Sequence, residues 1–381
     1  MLYYLIALCV CFLVYAIVRY PVYHLSKSFL QPGTNKESPK LSVVVTAHNN
    51  GATLQTVLQT IATQEYPDFE VIVVNDASDD DTSDIITLIE NQYPNVHHTF
   101  TPETARSLSH AKLAITLGVK AARNEWIVLT QGDCQPQSDL WLARMASACT
   151  SDKDFVLGYA NFFPAKQIFH RRIAFARFLQ QLRYYRLIGS SHNGRPGGAA
   201  NENMAFRRSL FLEHKGFYSN VQLLGGEDRF FIDEAGVKGR VTALLCDDAH
   251  VCQQPPLYRQ TWCNYRLSET AAARRLSSHA RMERFLWGLS SLCLFAYIAI
   301  AACIAYVFYT RNQEAVSYLI GLLVLVEQFV AGLILTQSAR KLNEPSCFFI
   351  LFLRNFTQPC HTLYYKLSTM RNRRNLMRGE A

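Results

Sequence analysis

A chain of 381 residues has room for one large domain together with membrane segments, and 49% of its residues are apolar, a high share for a purely soluble enzyme. The formal net charge of +8 suits anionic lipid head groups; no recognition motif or internal repeat accompanies it, which sets nucleic acid aside as a partner. Eleven cysteines, an odd number without metal-like pairs, fit reduced thiols better than a disulfide framework.

Residues 2–18 carry no charge, suffice to cross a hydrocarbon core of roughly 30 Å, and end at Arg19. Without a basic n-region or a small-x-small cleavage site the run reads as a retained anchor, giving an N-terminal span over 1–20 and a linker over 21–40. LSVVVT at 41–46 is a short β-branched apolar run of the kind that forms a buried strand. Leu54, Val57, Leu58 and Ile61 then share one helical stripe ahead of the Tyr66-Pro67 turn. FEVIVV at 69–74 predicts a second buried strand, 82–92 a helix with acids near its start, and 96–100 a weaker strand. Residues 105–121 have helical composition, and EWIVLT at 125–130 is a strand running into Gln131-Gly132-Asp133. This alternation predicts an α/β domain with a mostly parallel sheet over 41–275.

From 166 to 195 there are seven basic residues and no acid, interleaved with Phe169, Phe175, Phe178, Tyr184 and Tyr185. Such a segment either lies in a membrane interface or covers the sheet as an ordinary helix. Two further spans are expected at 285–309 and 316–336, the latter broken only by Glu327, which is costly in lipid unless paired. An interfacial segment and basic tail occupy 345–381. Arg274, Arg275, Arg281 and Arg284 precede the second span, Arg340 and Lys341 follow the third, and only Arg311 lies between them. The positive-inside rule therefore puts the 41–275 domain on the cytosolic face of a plasma (inner) membrane.

In parallel sheets ligands bind beyond the carboxyl ends of the strands, where Asn75-Asp76 and Asp133 fall. Within NDASDDDT a carboxylate can accept hydrogen bonds from a base or sugar, while Asp79 to Asp81 equally suit helix caps or a solvated turn. No GxGxxG or GxxxxGKS loop follows the first strand, which argues against a Rossmann dehydrogenase and a P-loop NTPase. A bound diphosphate then needs another source of positive charge, and a divalent cation (Mn or Mg) on Asp133 would supply it; Asp133 also fits a plain turn. In GGEDRFFIDEAG, Glu227 and Asp228 follow a Gly-Gly at a helix start, as a general base and its neighbour or as a first turn favoured by the macrodipole.

LSVVVTAHNN, VVNDASDDD, LTQGD and GGEDRFF, in this order, resemble the family two inverting glycosyltransferases with the GT-A fold. The resemblance implies a metal-dependent, hexosyltransferase-type enzyme of polysaccharide biosynthesis that moves a sugar from a nucleotide-sugar donor, a UDP-sugar above all, to a glycan or lipid-linked acceptor. Thr46 and His48 match the loop bordering the nucleobase, with His48 where the family commonly has an aromatic residue. Asp76 matches the base-recognising acid, Lys112 a basic position near the donor, Asp133 the last acid of the metal-binding DXD motif, and Asp228, beside Glu227, the catalytic base. Gln131 departs from the pattern, replacing the first DXD acid, so a catalytically inactive membrane scaffold stays open beside the enzyme. GGAANENMAFRR resembles a segment that shapes the acceptor side, with Asn203 as its candidate. TWCNYRLSE carries Trp262 and Arg266 but not the QxxRW pattern of processive synthases, which favours single-sugar transfer, a polyprenyl phosphate included, and leaves Arg266 as a phosphate candidate.

Overall fold

The computed structural model describes residues 2–23, 38–102, 109–164, 171–193, 198–223, 225–237, 239–255, 259–345 and 348–371. In chain order the helices and strands are α1 (Leu2–Tyr23), β1 (Leu41–Ala47), α2 (Gly51–Ala62), β2 (Phe69–Asn75), α3 (Thr82–Gln92), β3 (Val96–Phe100), α4 (His110–Ala121), β4 (Trp126–Gln131), β5 (Cys134–Pro136) and α5 (Trp141–Ala148). There follow β6 (Phe155–Leu157), β7 (Ala160–Phe162), α6 (Arg171–Asn193), β8 (Met204–Arg207), α7 (Arg208–Glu213), α8 (Glu227–Ala235), β9 (Val241–Ala243), β10 (Val251–Gln253), α9 (Arg259–Ala272), α10 (Ser278–Thr310), α11 (Glu314–Lys341) and α12 (Phe348–Arg371). Two compact units result: Met1–Leu25 with Arg281–Lys366, and Ser26–Ala280 with Leu367–Ala381.

The second unit is built on a seven-stranded sheet in the order β3-β2-β1-β4-β8-β6-β9. β1 runs parallel to β2 (Ala47 opposite Asn75) and to β4 (Thr46 opposite Gln131). β8 turns antiparallel against β4 and β6. Every residue of β1 except Thr46 is buried, which is why this run reads as continuously apolar instead of alternating. α4 lies directly on the strands because Gly118 has no side chain: a Cβ there would come within 2.4 Å of Val44. On the antiparallel side Phe231 packs edge to face on Phe206 and Phe211 and tilted on Phe155, with centroids 4.9 to 5.2 Å apart. Truncating one such ring, Phe206→Ala, costs about 3–5 kcal/mol. A second sheet, β5-β10-β7, stands beside the first and carries the turn after β4.

The basic and aromatic segment forms α6, with residues 166–170 and 194–195 outside the described residues. Phe178, Tyr184 and Tyr185 are buried, Tyr184 packs on Tyr159 at 4.9 Å, and Arg183 pairs with Glu202. The described part of α6 thus covers the sheet, with Phe178, Tyr184, Tyr185 and Arg183 spent inside the fold.

The first unit holds α1, most of α10, α11 and most of α12. Tyr3–Tyr20, Ser278–Thr310 and Glu314–Lys341 are long and apolar enough to cross a membrane. The two buried charged groups Arg19 and Glu327 inside them are paired. Arg19 is buried, donates from Nε to Ser290 Oγ at 2.8 Å and from Nη2 to Ser291 Oγ at 2.5 Å, and lies 3.7 Å over the Trp287 ring. Tyr20 donates to Glu327 Oε1 at 3.1 Å, and Gln328 to the other carboxylate oxygen, so Glu327 has the partners its depth demands. α12 comes close to α11 at Gly332, where a Cβ would meet the Phe348 ring at 2.3 Å.

Candidate active site

Three parallel strands end side by side, and the loops leaving them form the site. The backbone N–H of Asp76 donates to Ala47 at 2.8 Å and that of Gly132 to Thr46 at 2.8 Å, so the turns after β2 and β4 are both fastened to the end of β1. His48, exposed just past β1, brings Nδ1 to 2.6 Å from the Asp76 carbonyl. Asn49 and Ala77 hold φ of +52° and +48° in these two loops, a left-handed conformation costing a non-glycine residue roughly 1–2 kcal/mol. Cross-loop bonds hold them there: Asn49 N to Ser78 Oγ at 3.1 Å and Asp79 N to Asn49 Oδ1 at 2.8 Å.

Asp76 is buried and supplied with donors: Thr101 Oγ1 at 2.8 Å and His110 Nδ1 at 3.2 Å both reach its Oδ1. Of its acidic neighbours, Asp80 takes the N–H of Gly51 at 2.9 Å and of Thr82 at 3.1 Å, capping α2 and α3 together. Burial pushes the Asp80 carboxyl upward, but bonds from Thr82 and Gly51 outweigh it and hold it below the usual carboxylate range.

Asp133 is the opposite case. Its carboxyl is pushed up to about 6, first by burial; bonds from the Cys134 thiol and the Gln253 amide only partly offset this, and the negative charge of Glu202 adds to it. Gln253 Nε2 stands between the two side chains of the turn, 3.1 Å from Gln131 Oε1 and 3.3 Å from Asp133 Oδ2. Gln253 arrives there because β10 pairs antiparallel with β5, setting it opposite Cys134. Oxygen from Asp133 and Gln131 thus converges on one donor, a set a hard cation accepts. No group of three or more His, Cys, Asp or Glu is gathered for a metal among the described residues.

Lys112 is neither solvated nor open at the strand edge. It is fully buried in α4, donating to the carbonyls of Asn220 at 2.9 Å and Leu223 at 2.6 Å and lying 4.7 Å over the Phe230 ring. Its ammonium therefore holds the chain entering Gly225 and Gly226, whose φ of +75° and +81° start α8. A Cβ on Gly226 would come within 2.5 Å of Phe230 and 2.8 Å of Ala272, so glycine is required by space as well as by φ. Glu227 opens α8, where Ser109 Oγ donates to it at 3.3 Å. Asp228 is the second residue of that helix, and its side chain lies outside the described residues.

Asn203 is fully buried and its amide is used by the framework: Oδ1 accepts from Trp141 Nε1 at 3.1 Å, and Nδ2 donates to Tyr159 O at 2.9 Å and Ala249 O at 2.8 Å. Both amide hydrogens of Asn203 and one lone pair of its Oδ1 are thus engaged by the framework. Arg266, on α9, donates to Glu269 at 3.2 Å, and Arg229 also reaches Glu269. Glu269 is held down to about 2: burial lifts it, but the guanidinium groups of Arg229, Arg183, Arg266 and Arg186 outweigh burial.

Residues 42–214 match the model of Glycosyl transferase family 2. The chain is 24% identical over 115 residues to the uncharacterized glycosyltransferase YibD of Escherichia coli, covering 30% of this chain and 32% of that protein. It is 28% identical over 127 residues to the glycosyltransferase AglE of Haloferax volcanii, covering 32% and 40%. The matched stretches thus span well under half the length of these relatives. Among solved structures, the mannosyltransferase PcManGT from Pyrobaculum calidifontis, in complex with GDP-Man and Mn2+, superposes with a TM-score of 0.55 at 18% identity, over 87% of this chain and 94% of that one. That likeness is one of fold, the GT-A type.

Proposed function

From a chain that carries a family 2 glycosyltransferase domain, we propose an inverting glycosyltransferase that moves one sugar from a nucleotide diphosphate donor, a UDP-sugar in the first instance, to a glycan or lipid-linked acceptor at the cytosolic membrane face. The observation that carries this reading is the convergence of His48, Asp76 and Asp133 on one strand edge through bonds to the end of β1. Asp76, held by Thr101 and His110, offers its carboxylate to the base, and Thr46 with the exposed His48 borders it. Lys112 acts one step removed, fixing the approach to α8.

Asp133, with Gln131 oxygen beside it, is the residue set to hold a divalent cation, and PcManGT, of the same fold, was solved with Mn2+. When bound, such an ion supplies positive charge for a departing nucleotide diphosphate. Asp228 removes the proton of the acceptor hydroxyl as that oxygen attacks the anomeric carbon from the face opposite the leaving group, which inverts the stereochemistry. Glu227, its neighbour, is kept in register by Ser109. The three long apolar helices favour an acceptor that is itself lipid-linked, a polyprenyl phosphate among them. Gln131 is the residue that favours an inactive scaffold instead.

Thermal shift of the detergent-solubilised chain against a panel of UDP- and GDP-sugars, with and without Mn2+, tests the donor. Stabilisation by one donor only with metal is expected; no stabilisation by any of them overturns the reading. Transfer of radiolabelled sugar to membrane lipids then separates acceptors, and a one-sugar polyprenyl phosphate product identifies the lipid phosphate.

A further inference from the structure

The first turn of α4 touches both halves of the candidate site. Asp76 takes its two side-chain bonds on Oδ1, from Thr101 Oγ1 at 2.8 Å and His110 Nδ1 at 3.2 Å, and among the described residues its Oδ2 takes none. His110 is the first residue of α4. Ser109, just before it, is the buried N-cap of that helix, yet its side chain makes no capping bond there. A serine in this position ordinarily accepts from the first turn of its own helix. This one serves another helix: its hydroxyl donates to Glu227 Oε1 at 3.3 Å, and its backbone N–H donates to Val221 O at 2.7 Å. One turn on, Lys112 Nζ donates to the carbonyls of Asn220 and Leu223. The segment so held is bounded by left-handed residues at both ends, Lys215 and Gly216 with φ of +57° and +53°, Gly225 and Gly226 with φ of +75° and +81°. His110 and Ser109 are neighbours in the chain, so one peptide link with a hydrogen bond at each end joins Asp76 to Glu227.

We propose that His110 and Ser109 are positioning residues that couple donor recognition to the base helix: a nucleobase on Asp76 sets the first turn of α4 through His110, and that turn sets the start of α8 through Ser109 and Lys112. This rests on the reading that Asp76 receives the base of the donor and that Asp228 is the general base. It goes further in making donor binding a condition for the placement of α8. A donor group on Oδ2 fixes the plane of the Asp76 carboxylate, and with it the lone pairs that Oδ1 presents to His110. At the other end, the left-handed pairs at 215–216 and 225–226 are the points about which the held segment and the helix start turn. An acceptor therefore meets a placed α8 only once the donor is in, so donor binds before acceptor.

The test is hydrogen–deuterium exchange of the full chain in detergent, with and without UDP and Mn2+, GDP being run in parallel, and with melting curves to establish that each variant is folded. Binding is read at 75–82 and coupling at 217–235. In the wild type the diphosphate that binds is expected to slow exchange in both stretches, by about 5- to 100-fold at 217–235. In Ser109→Ala and in His110→Leu, at saturating ligand, it slows 75–82 and leaves 217–235 at the rate of the free protein. Ser109→Thr, which keeps the hydroxyl, restores the response. A merely structural role for these residues raises exchange at 217–235 in the free variants and leaves the slowing by ligand intact, which overturns the inference alone. So does a wild type that binds at 75–82 without slowing at 217–235, and so does equal slowing at 217–235 by pyrophosphate with Mn2+, which has no base. Absence of slowing at 75–82 by either diphosphate overturns the reading of the site, and the inference with it.

Discussion

Asp133 and Glu269 are both carboxylates taken out of water in the same unit, yet one is pushed up to about 6 and the other down to about 2. Glu269 has its counterions built in, four guanidinium groups that outweigh the penalty of burial. Asp133 has a thiol, one amide and another acid for neighbours, and no cation beside it among the described residues. A carboxylate so equipped either takes up a proton or receives positive charge from outside, whereas one ringed by arginines is part of the framework. Asp76 is a third arrangement, a hydroxyl and an imidazole nitrogen on one carboxylate oxygen, suited to a fixed hydrogen bond with a base.

The largest expected effect lies with the carboxylate that neither of these replaces. Asp228→Asn should lower the transfer rate by about 10²–10⁴ while donor-induced stabilisation in a thermal shift persists, since a base contacts the acceptor. Loss of donor stabilisation together with activity would make Asp228 a donor residue instead. Next, Asp133→Asn should abolish metal-dependent donor stabilisation and cut transfer by about 10², with the melting point of the free protein unchanged or raised because an uncompensated charge has left the interior. A lowered melting point would mean that Asp133, like Glu269, already has its counterion.

Asp76→Ala should behave the other way in the free protein, destabilising it by about 1–3 kcal/mol in denaturant titration as Thr101 and His110 lose their acceptor. The smallest effect is in pH. Because the Glu269 carboxyl is lower in the folded protein than its ordinary 4.5, the unfolded chain binds more protons below that value. The stability Glu269 contributes is therefore complete above pH 4.5 and is lost as the pH falls toward about 2. In Glu269→Gln, melting points recorded down that range should lose this component; an unchanged acid limb would remove Glu269 from the comparison.

Much of the α/β order is legible in the sequence because β1, β2 and β4 are long enough to display unbroken apolar runs, and α3 and β3 fall where composition puts them. Strands of three residues, β5, β6, β7, β9 and β10, are too short to have a period, and they bring in the distant parts of the site. Asp76 and Asp133 follow long strands and can be found from the sequence alone. Gln253 is brought to Asp133 by the β5–β10 pairing, 120 residues along the chain, which no local pattern encodes. Lys112 and Asn203 were legible as unusual residues but not as framework: their partners are backbone carbonyls, and a carbonyl has no signature in a sequence. The same holds for α6, whose cations fit a membrane interface as well as a sheet-covering helix until Glu202 and Glu269 are seen opposite Arg183.

The burial of Arg19 sets a timetable for biogenesis. Its partners Ser290 and Ser291 lie 271 and 272 residues later in the chain. At translation rates of about 5–20 residues per second, α1 waits on the order of 15–50 s before they are made. Through that interval its guanidinium needs water, lipid head groups or the insertion machinery as stand-ins. The first helix thus completes its packing only when α10 arrives, and a chain truncated before Ser290 would leave α1 with an unmatched charge at its end.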